Sequence, residues 1–191
     1  KVFGIKPDHN DVDSGKLNRE GYIDVAKKLS ERFGCEKVAI TLRESISAND
    51  NNWAAMLYDG EKAYFSKKYA VHIVDRVGGG DSFGAGLIYS LLSGYDMQDT
   101  IEFAVAASCL KHSIEYDFNR VSVDEVKALV KGGGAAEYRD KFLKSIKQGS
   151  GALLFYAFFL FEEASYFCVT KSIKMLLCSS GDGASWLWQV R

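Results

Sequence analysis

Residues 75–83, with the sequence Asp-Arg-Val-Gly-Gly-Gly-Asp-Ser-Phe, carry the residue types in this chain that are best suited to chemistry. Three consecutive glycines between an apolar strand and a helix let backbone N–H groups point at one spot without obstruction by Cβ atoms. The positive end of the following helix faces the same spot, so the turn is suited to bind an anion. Asp81 at its rim can accept a proton from a hydroxyl that attacks a phosphate. The alternative is that Asp81 only caps the helix, a position that Asp favours.

The spacing of apolar residues predicts the elements that deliver this turn. Residues 17–33 have a helical apolar face that stops at Gly34, and residues 37–42 form a short apolar strand. Residues 68–74 form the strand that leads into the glycines. Because strands and helices alternate along the chain, we expect a layered α/β sheet.

Two further signals mark a turn and a helix start. Asp59-Gly60 predicts a hairpin between residues 53–58 and 62–66. Ser122 and Glu125 have the spacing of a capping box, which predicts a last short helix.

Two helices are predicted after the glycines. They cover residues 82–92 and 97–112, and either Asp96 or Asp99 can cap the second. The apolar face of the first helix comprises Leu87, Ile88, Leu91 and Leu92.

The composition excludes several classes of protein. Lys plus Arg total 24 and Asp plus Glu total 25, so no basic field favours nucleic acid. The four cysteines form no Cys-x-x-Cys pair and the three histidines lack metal-ligand spacing, so we expect reduced thiols and no metal site built from them. The first residues lack a signal-peptide pattern.

Two other phosphate-binding motifs fail residue by residue, and a nucleophile motif matches only in its spacing. A dinucleotide-binding fingerprint that starts at Gly78 would need a glycine where Phe83 stands, and one that starts at Gly84 would need it at Tyr89. The chain has no Gly-Lys-Ser/Thr of a Walker loop. Residues 80–84 match the Gly-x-Ser-x-Gly spacing around Ser82, but no Ser/His/Asp signature of a hydrolase accompanies it.

The character of the sequence changes after residue 132. Residues 137–148 have an amphipathic, Lys-rich helical pattern, and residues 152–161 are ten uninterrupted apolar residues. That run is shorter than the about 20 residues of a membrane span, so we expect no membrane insertion. Residues 133–191 form an atypical tail: a buried or aggregation-prone segment, a membrane-associated or partner-binding element, or an out-of-frame or fused sequence.

The pattern Asp-x-x-Gly-x-Gly-Asp-x-Phe, after a strand and before a helix, resembles the C-terminal signature of the ribokinase-like (PfkB) sugar kinases. With Ile-Thr-Leu-Arg-Glu at residues 40–44, it is most similar to bacterial 2-keto-3-deoxygluconate kinases. The resemblance covers residues 1–132, as the C-terminal portion of such a kinase domain, truncated at its N-terminus. It implies a three-layer αβα sandwich with a mainly parallel sheet.

The resemblance also assigns roles around the glycine turn. Asp81 is implied to be the catalytic base and to contact the substrate, while Gly78, Gly79 and Gly80 donate N–H groups to the transferring phosphoryl group. Asp75 is implied to order the magnesium and phosphate water network, and the alternative is an ion pair with its neighbour Arg76. Arg76 is expected to face a phosphate or the substrate carboxylate, or to form a surface ion pair.

Further site residues are implied at a distance from the turn. Thr41 and Arg43 follow a strand where the family's nucleotide loop begins, although this chain lacks the glycine that many relatives carry there. Asp117 is expected near the sugar hydroxyls, with a solvated loop residue as the alternative. Ser108 is either near the adenine pocket or a small packing residue.

The implied activity is ATP-dependent phosphorylation of a sugar hydroxyl, most similar to the conversion of 2-keto-3-deoxygluconate to its 6-phosphate. ATP and Mg²⁺ are the implied cofactors, the partners are a sugar acid and ATP, and the parent enzyme is expected in the cytoplasm, often as a homodimer. Two alternatives stay open. One is another PfkB kinase acting on ribose, fructose or a nucleoside, and the other is an inactive truncated chain whose apolar tail mediates association.

Overall fold

A computed structural model describes residues 5, 19–116 and 118–132, together with the backbone of residues 178–179 and 186–190. The helix predicted over residues 137–148 and the apolar run at 152–161 lie outside these described residues, as does Asp117. The domain boundary placed after residue 132 stays a prediction.

The described strands form one six-stranded sheet in the order β3-β2-β1-β6-β5, with β4 also paired to β2. The partners β3 and β4 lie one after the other along the same edge of β2, since they pair with residues 56–58 and 50–53. The strands are β1 (Lys37–Ser45), β2 (Asp50–Tyr58), β3 (Ala63–Phe65), β4 (Tyr69–His72), β5 (Cys178–Ser179) and β6 (Trp186–Val190).

Every pairing among these strands is antiparallel, so the mainly parallel sheet expected from the sequence is not confirmed in the described part of the chain. The reason is local, because only residues 46–49 separate β1 from β2. A parallel pair needs a crossover of about a dozen residues or more. The side chain of Ser47 closes this short turn by accepting the backbone N–H groups of Asn49 and Asp50.

The hairpin predicted at Asp59-Gly60 is confirmed. Gly60 has the positive φ of 102° that the turn requires, and the Asp59 carboxylate accepts the N–H groups of Glu61 and Lys62 at 2.9 and 2.7 Å. The turn therefore pins the register of β2 against β3.

In the described part of the chain, four helices accompany the sheet: α1 (Arg19–Phe33), α2 (Gly79–Leu92), α3 (Met97–Lys111) and α4 (Val123–Val130). Asp96 caps α3 by accepting the N–H of Asp99 at 2.7 Å, and Ser122 and Glu125 form the predicted capping box of α4. Among the described helices, none combines the length and apolar character that a membrane crossing requires.

The helices lie on both faces of the sheet. Alternate residues of β1 and β2 pack on α1 from one face, including Val38, Ile40 and Met56. The opposite set, including Trp53 and Leu57, packs on α2, α3 and α4. Since residues 41 and 43 share the parity of the second set, they point toward the side of the sheet that carries the glycine turn.

Helices α2 and α3 pack closely through small residues. A Cβ atom added to Gly86 would lie 3.0 Å from Cα of Ala104 and 3.3 Å from Cβ of Ala107. The apolar face predicted for α2 is therefore only partly right. Leu87 is buried, whereas Leu92 is 73% exposed because the buried side of α2 follows its glycines and serines.

The same truncation at two leucines of α2 tests which face is buried. We expect Leu87→Ala to lower the free energy of unfolding by about 2–5 kcal/mol, because it empties a fully buried site. Leu92→Ala is the matched control and should change it by no more than about 0.5 kcal/mol. Urea unfolding of the two variants measures the difference, and equal losses would contradict the packing described here.

Candidate active site

The glycine turn connects β4 to the start of α2. Gly78 is the N-cap residue, with a left-handed φ of 76°, and α2 begins at Gly79, three residues before the predicted start. Asp81 therefore lies inside the first helical turn and is not the N-cap residue that the alternative interpretation required. Among the described residues no side chain caps α2, in contrast to α3 and α4. The N–H of Gly79 makes a long bond of 3.4 Å to the carbonyl of Arg76, whereas the N–H groups of Gly80 and Asp81 have no intrahelical acceptor and stay available to an anion.

Gly79 rests directly on the imidazole of His112. A Cβ atom at Gly79 would lie 2.6 Å from Cε1 and 2.7 Å from Nε2 of that ring, so only glycine fits there. The ring is held in place from two sides, because its Nδ1 lies 2.7 Å from the carbonyl oxygen of Ser108 and its centroid lies 4.8 Å from that of Trp53. Burial lowers the pKa of His112 below its usual range, so the imidazole is neutral at pH 7.

Three hydrogen bonds connect α2 to its surroundings at this end. The Ser108 hydroxyl donates to the carbonyl of Gly79 at 2.8 Å, and the Ser82 hydroxyl donates to the carbonyl of Ala107 at 3.0 Å. The amide of Asn119 donates to the Ser82 hydroxyl at 2.6 Å. Ser108 is fully buried, so the structure shows it supporting the glycine turn, and its contact with a cofactor stays a prediction.

The Asp75 carboxylate is held by backbone N–H groups. One oxygen accepts from Val77 at 3.0 Å and the other from Tyr116 at 2.9 Å. These bonds, the Val77 bond first and the Tyr116 bond next, lower the pKa of Asp75, and the positive charge of Lys111 adds to them. No ion pair joins Asp75 to Arg76 within the described residues, so the structure does not support that alternative.

Two guanidinium groups lie on the same side of the sheet as the turn. Arg43 donates through Nε to Oδ1 of the buried Asn51 at 2.9 Å, and Arg76 donates to the carbonyl of Ala48. Partial burial and then the positive charge of Arg76 lower the pKa of Arg43. Neither forms an ion pair with a carboxylate in the described part of the chain. Thr41, on the same strand face, is buried.

The predicted site residues are thus brought together only in part. Asp75, Arg76 and the glycines share one turn, and Asp81 lies exposed in the helical turn that follows. Across the described ranges, no group of three or more His, Cys, Asp or Glu side chains could hold a metal ion.

Sequence reasoning did not single out Lys111 and assigned His112 no role in the site. Both lie at the C-terminal end of α3, where the ring of His112 contacts Gly79 of the glycine turn. Lys111 is three residues after Ser108, in a helix that is mostly apolar. A lysine among apolar helix residues is unusual, and this was the signal that could have marked Lys111 as a functional residue.

Comparison with known proteins gives a consistent result. The profile of the pfkB family carbohydrate kinases matches residues 3–114. The 5-dehydro-2-deoxygluconokinase of Clostridium perfringens is 34% identical over 73 residues, which are 37% of this chain and 21% of that protein. The 2-dehydro-3-deoxygalactonokinase of Haloferax volcanii is 26% identical over 111 residues, which are 58% of this chain and 32% of that protein.

The fold is similar to that of a solved kinase as well. The crystal structure of 2-dehydro-3-deoxygluconokinase from Thermotoga maritima superposes with a TM-score of 0.63 and 46% sequence identity. The match covers 69% of this chain and 38% of the Thermotoga chain, so this chain spans well under half the length of the relatives it matches. Since the family profile covers more than half of the sequence and falls on the glycine turn and the helices that support it, the chain belongs to the pfkB family of carbohydrate kinases.

Proposed function

We propose that the complete kinase to which this chain belongs transfers a phosphoryl group from ATP to a hydroxyl of 2-keto-3-deoxygluconate, forming the 6-phosphate. The observation that carries the proposal is the uncapped N-terminus of α2, reached through three glycines and followed by an exposed aspartate. The 46% identity to the Thermotoga 2-dehydro-3-deoxygluconokinase supports this substrate.

In this proposal Asp81 is the catalytic base. Its exposed carboxylate projects from the first turn of α2 and takes the proton of the attacking sugar hydroxyl. The N–H groups of Gly78, Gly79 and Gly80 face the transferring phosphoryl oxygens, where negative charge is spread in the transition state. Because backbone donors on a fixed helix end need no reorganisation during the reaction, they stabilise that charge at little cost.

The positive side chains beside the turn complete the phosphate site. Arg43 and Arg76 form no ion pair with a carboxylate among the described residues, so their charges are available to phosphate or carboxylate oxygens of the substrates. We assign Arg43, together with Thr41 and Ser108, to the nucleotide side of the site. Arg76 and Asp117 are assigned to the sugar acid.

The residues present fit a nucleotide-bound Mg²⁺. This cation commonly binds one or two carboxylates, phosphate oxygens and several waters, so it does not require a cage of protein side chains. Asp75 meets that need, because hydrogen bonds from Val77 and Tyr116 keep its carboxylate ionised and oriented. When bound, Mg²⁺ neutralises phosphate charge.

The complete enzyme is further proposed to be a cytoplasmic homodimer whose three-layer sandwich has a mainly parallel sheet. The helices on both faces of the described sheet and the similarity to the Thermotoga kinase support the sandwich.

A second candidate is a kinase for a related keto-deoxy sugar acid. The matched relatives are named for 5-dehydro-2-deoxygluconate and 2-dehydro-3-deoxygalactonate. These two acids differ from each other in the positions of the keto and deoxy carbons. A substrate panel that includes these acids, ribose and fructose separates the candidates by kcat/KM. A preference for neutral sugars would refute both.

Asp81→Asn in the complete kinase tests the base. We expect kcat to fall by about 10²–10⁴-fold, the usual contribution of general base catalysis, with little change in ATP affinity. Asp124→Asn is the matched control, because this aspartate is also exposed in the first turn of a helix but lies in α4. Turnover of Asp81→Asn equal to that of the control would refute the assignment.

Gly79→Ala tests the need for close contact between the turn and His112. We expect weaker ATP binding, because the added methyl group would sit 2.6 Å from the imidazole and must displace either the ring or the turn. Binding is measured by calorimetry for Gly79→Ala, His112→Ala and the double variant. The contact is confirmed if the double variant loses less free energy of ATP binding than the two single variants lose together. Unchanged ATP binding by Gly79→Ala would refute it.

A further inference from the structure

Lys111 is a charged residue buried in the core. Its side chain is 0% exposed at the C-terminal end of α3. Lysine is almost never fully buried unless its charge is paired or hydrogen-bonded, because removing an ammonium group from water is costly. The protein therefore keeps this lysine at a position where a leucine or methionine would fill the same volume without that cost.

The ammonium group organises the turn that follows α3. Its Nζ donates to the carbonyl of Ile114 at 3.2 Å and to the carbonyl of Tyr116 at 2.6 Å. Tyr116 is the one described non-glycine residue with a positive φ, 68°. Such a conformation is uncommon for a tyrosine and persists when its surroundings hold it. Lys111 supplies a direct bond to this strained residue.

The same tyrosine connects Lys111 to the phosphate site. While its carbonyl accepts from Lys111, its N–H donates to the Asp75 carboxylate at 2.9 Å. The strand end is also tied to α3, because the N–H of Val74 donates to the carbonyl of His112 at 2.8 Å. Lys111, Tyr116 and Asp75 thus form a continuous series of hydrogen bonds from the core to the glycine turn.

We propose that Lys111 is a positioning residue for phosphoryl transfer, which acts through the backbone of Tyr116 to hold the Asp75 carboxylate beside the glycine turn. The inference rests on the proposed function, since it assigns a role within the same site. It requires the positive charge of the lysine, because an apolar side chain of equal length cannot bind two carbonyl oxygens. It also explains why a charge is kept in this core.

The test compares Lys111→Met and Lys111→Ala in the complete kinase, with Lys67→Met as the matched control. Lys67 also donates its ammonium to a carbonyl, but it is exposed and its partner, Val130, lies in α4 and not in the turn that holds Asp75. We expect Lys111→Met to lower kcat/KM for ATP by about 10²-fold, the scale of a misplaced catalytic group. The KM for the sugar acid and the activity of Lys67→Met should stay near their wild-type values.

Chemical rescue separates positioning from general loss of structure. Lys111→Ala leaves room for a small cation, so ammonium chloride should restore part of its kcat/KM, whereas tetramethylammonium chloride should not. Lys111→Met should not respond to either salt. Two results would overturn the proposal. One is wild-type kinetics in Lys111→Met. The other is an equal fall of kcat/KM for ATP and for the sugar acid, with no rescue of Lys111→Ala by ammonium.

Amide hydrogen exchange gives a readout that does not depend on activity. In Lys111→Met, the N–H of Tyr116 should lose protection, while Lys67→Met should leave it unchanged. Unchanged protection of Tyr116 in Lys111→Met would also overturn the proposal. If the wild-type kinase phosphorylates none of the sugars tested, the proposed function fails, and the exchange result still decides whether Lys111 holds the turn.

Discussion

The close contact between α2 and the C-terminal end of α3 is the constraint on which the rest of the site depends. Gly86 lets the helices approach, and Gly79 lets the turn lie on the imidazole of His112. At that contact the hydroxyl of Ser108 bonds the carbonyl of Gly79, so α3 fixes the direction of the first turn of α2. A side chain at either glycine would change where the N–H groups of the turn point.

Electrostatics and packing act together at this turn. α3 and α4 use Asp96 and Ser122 to satisfy their N-termini, whereas α2 has no such side chain among the described residues. Its N–H groups and the helix dipole favour negative charge at the start of α2, and in the proposed phosphate site Arg43 and Arg76 add positive charge. His112 is neutral and packs against Gly79, so it contributes a steric contact and not a charge.

Local signals in the sequence predicted local structure well. The Asp59-Gly60 hairpin and the cap at Ser122 depend on a few neighbouring residues, and both are confirmed. The antiparallel pairing of β1 with β2 was not predicted, because the apolar spacing within a strand does not specify the direction of its partner. Leu92 was misassigned because a buried face made of glycine and serine has a weak apolar pattern.

Only the contiguous part of the candidate site could be predicted from the sequence. The glycine turn, Asp75 and Asp81 are contiguous and form a recognisable pattern, whereas Lys111 and His112 meet it only through tertiary packing. Their roles follow from long-range contacts, such as the bond from Tyr116 to Asp75, that span 41 residues of sequence. The spacing of apolar residues in a single sequence does not predict contacts between residues so far apart in the chain.

The most direct test of the phosphate site is a titration of the isotope-labelled chain with pyrophosphate, followed by backbone amide chemical shifts. We expect the largest changes at Gly79, Gly80 and Asp81, and little change in the first turns of α3 and α4, whose N–H groups are already capped. Equal changes at all three helix starts, or none in the glycine turn, would contradict the assignment of this turn as the phosphate site.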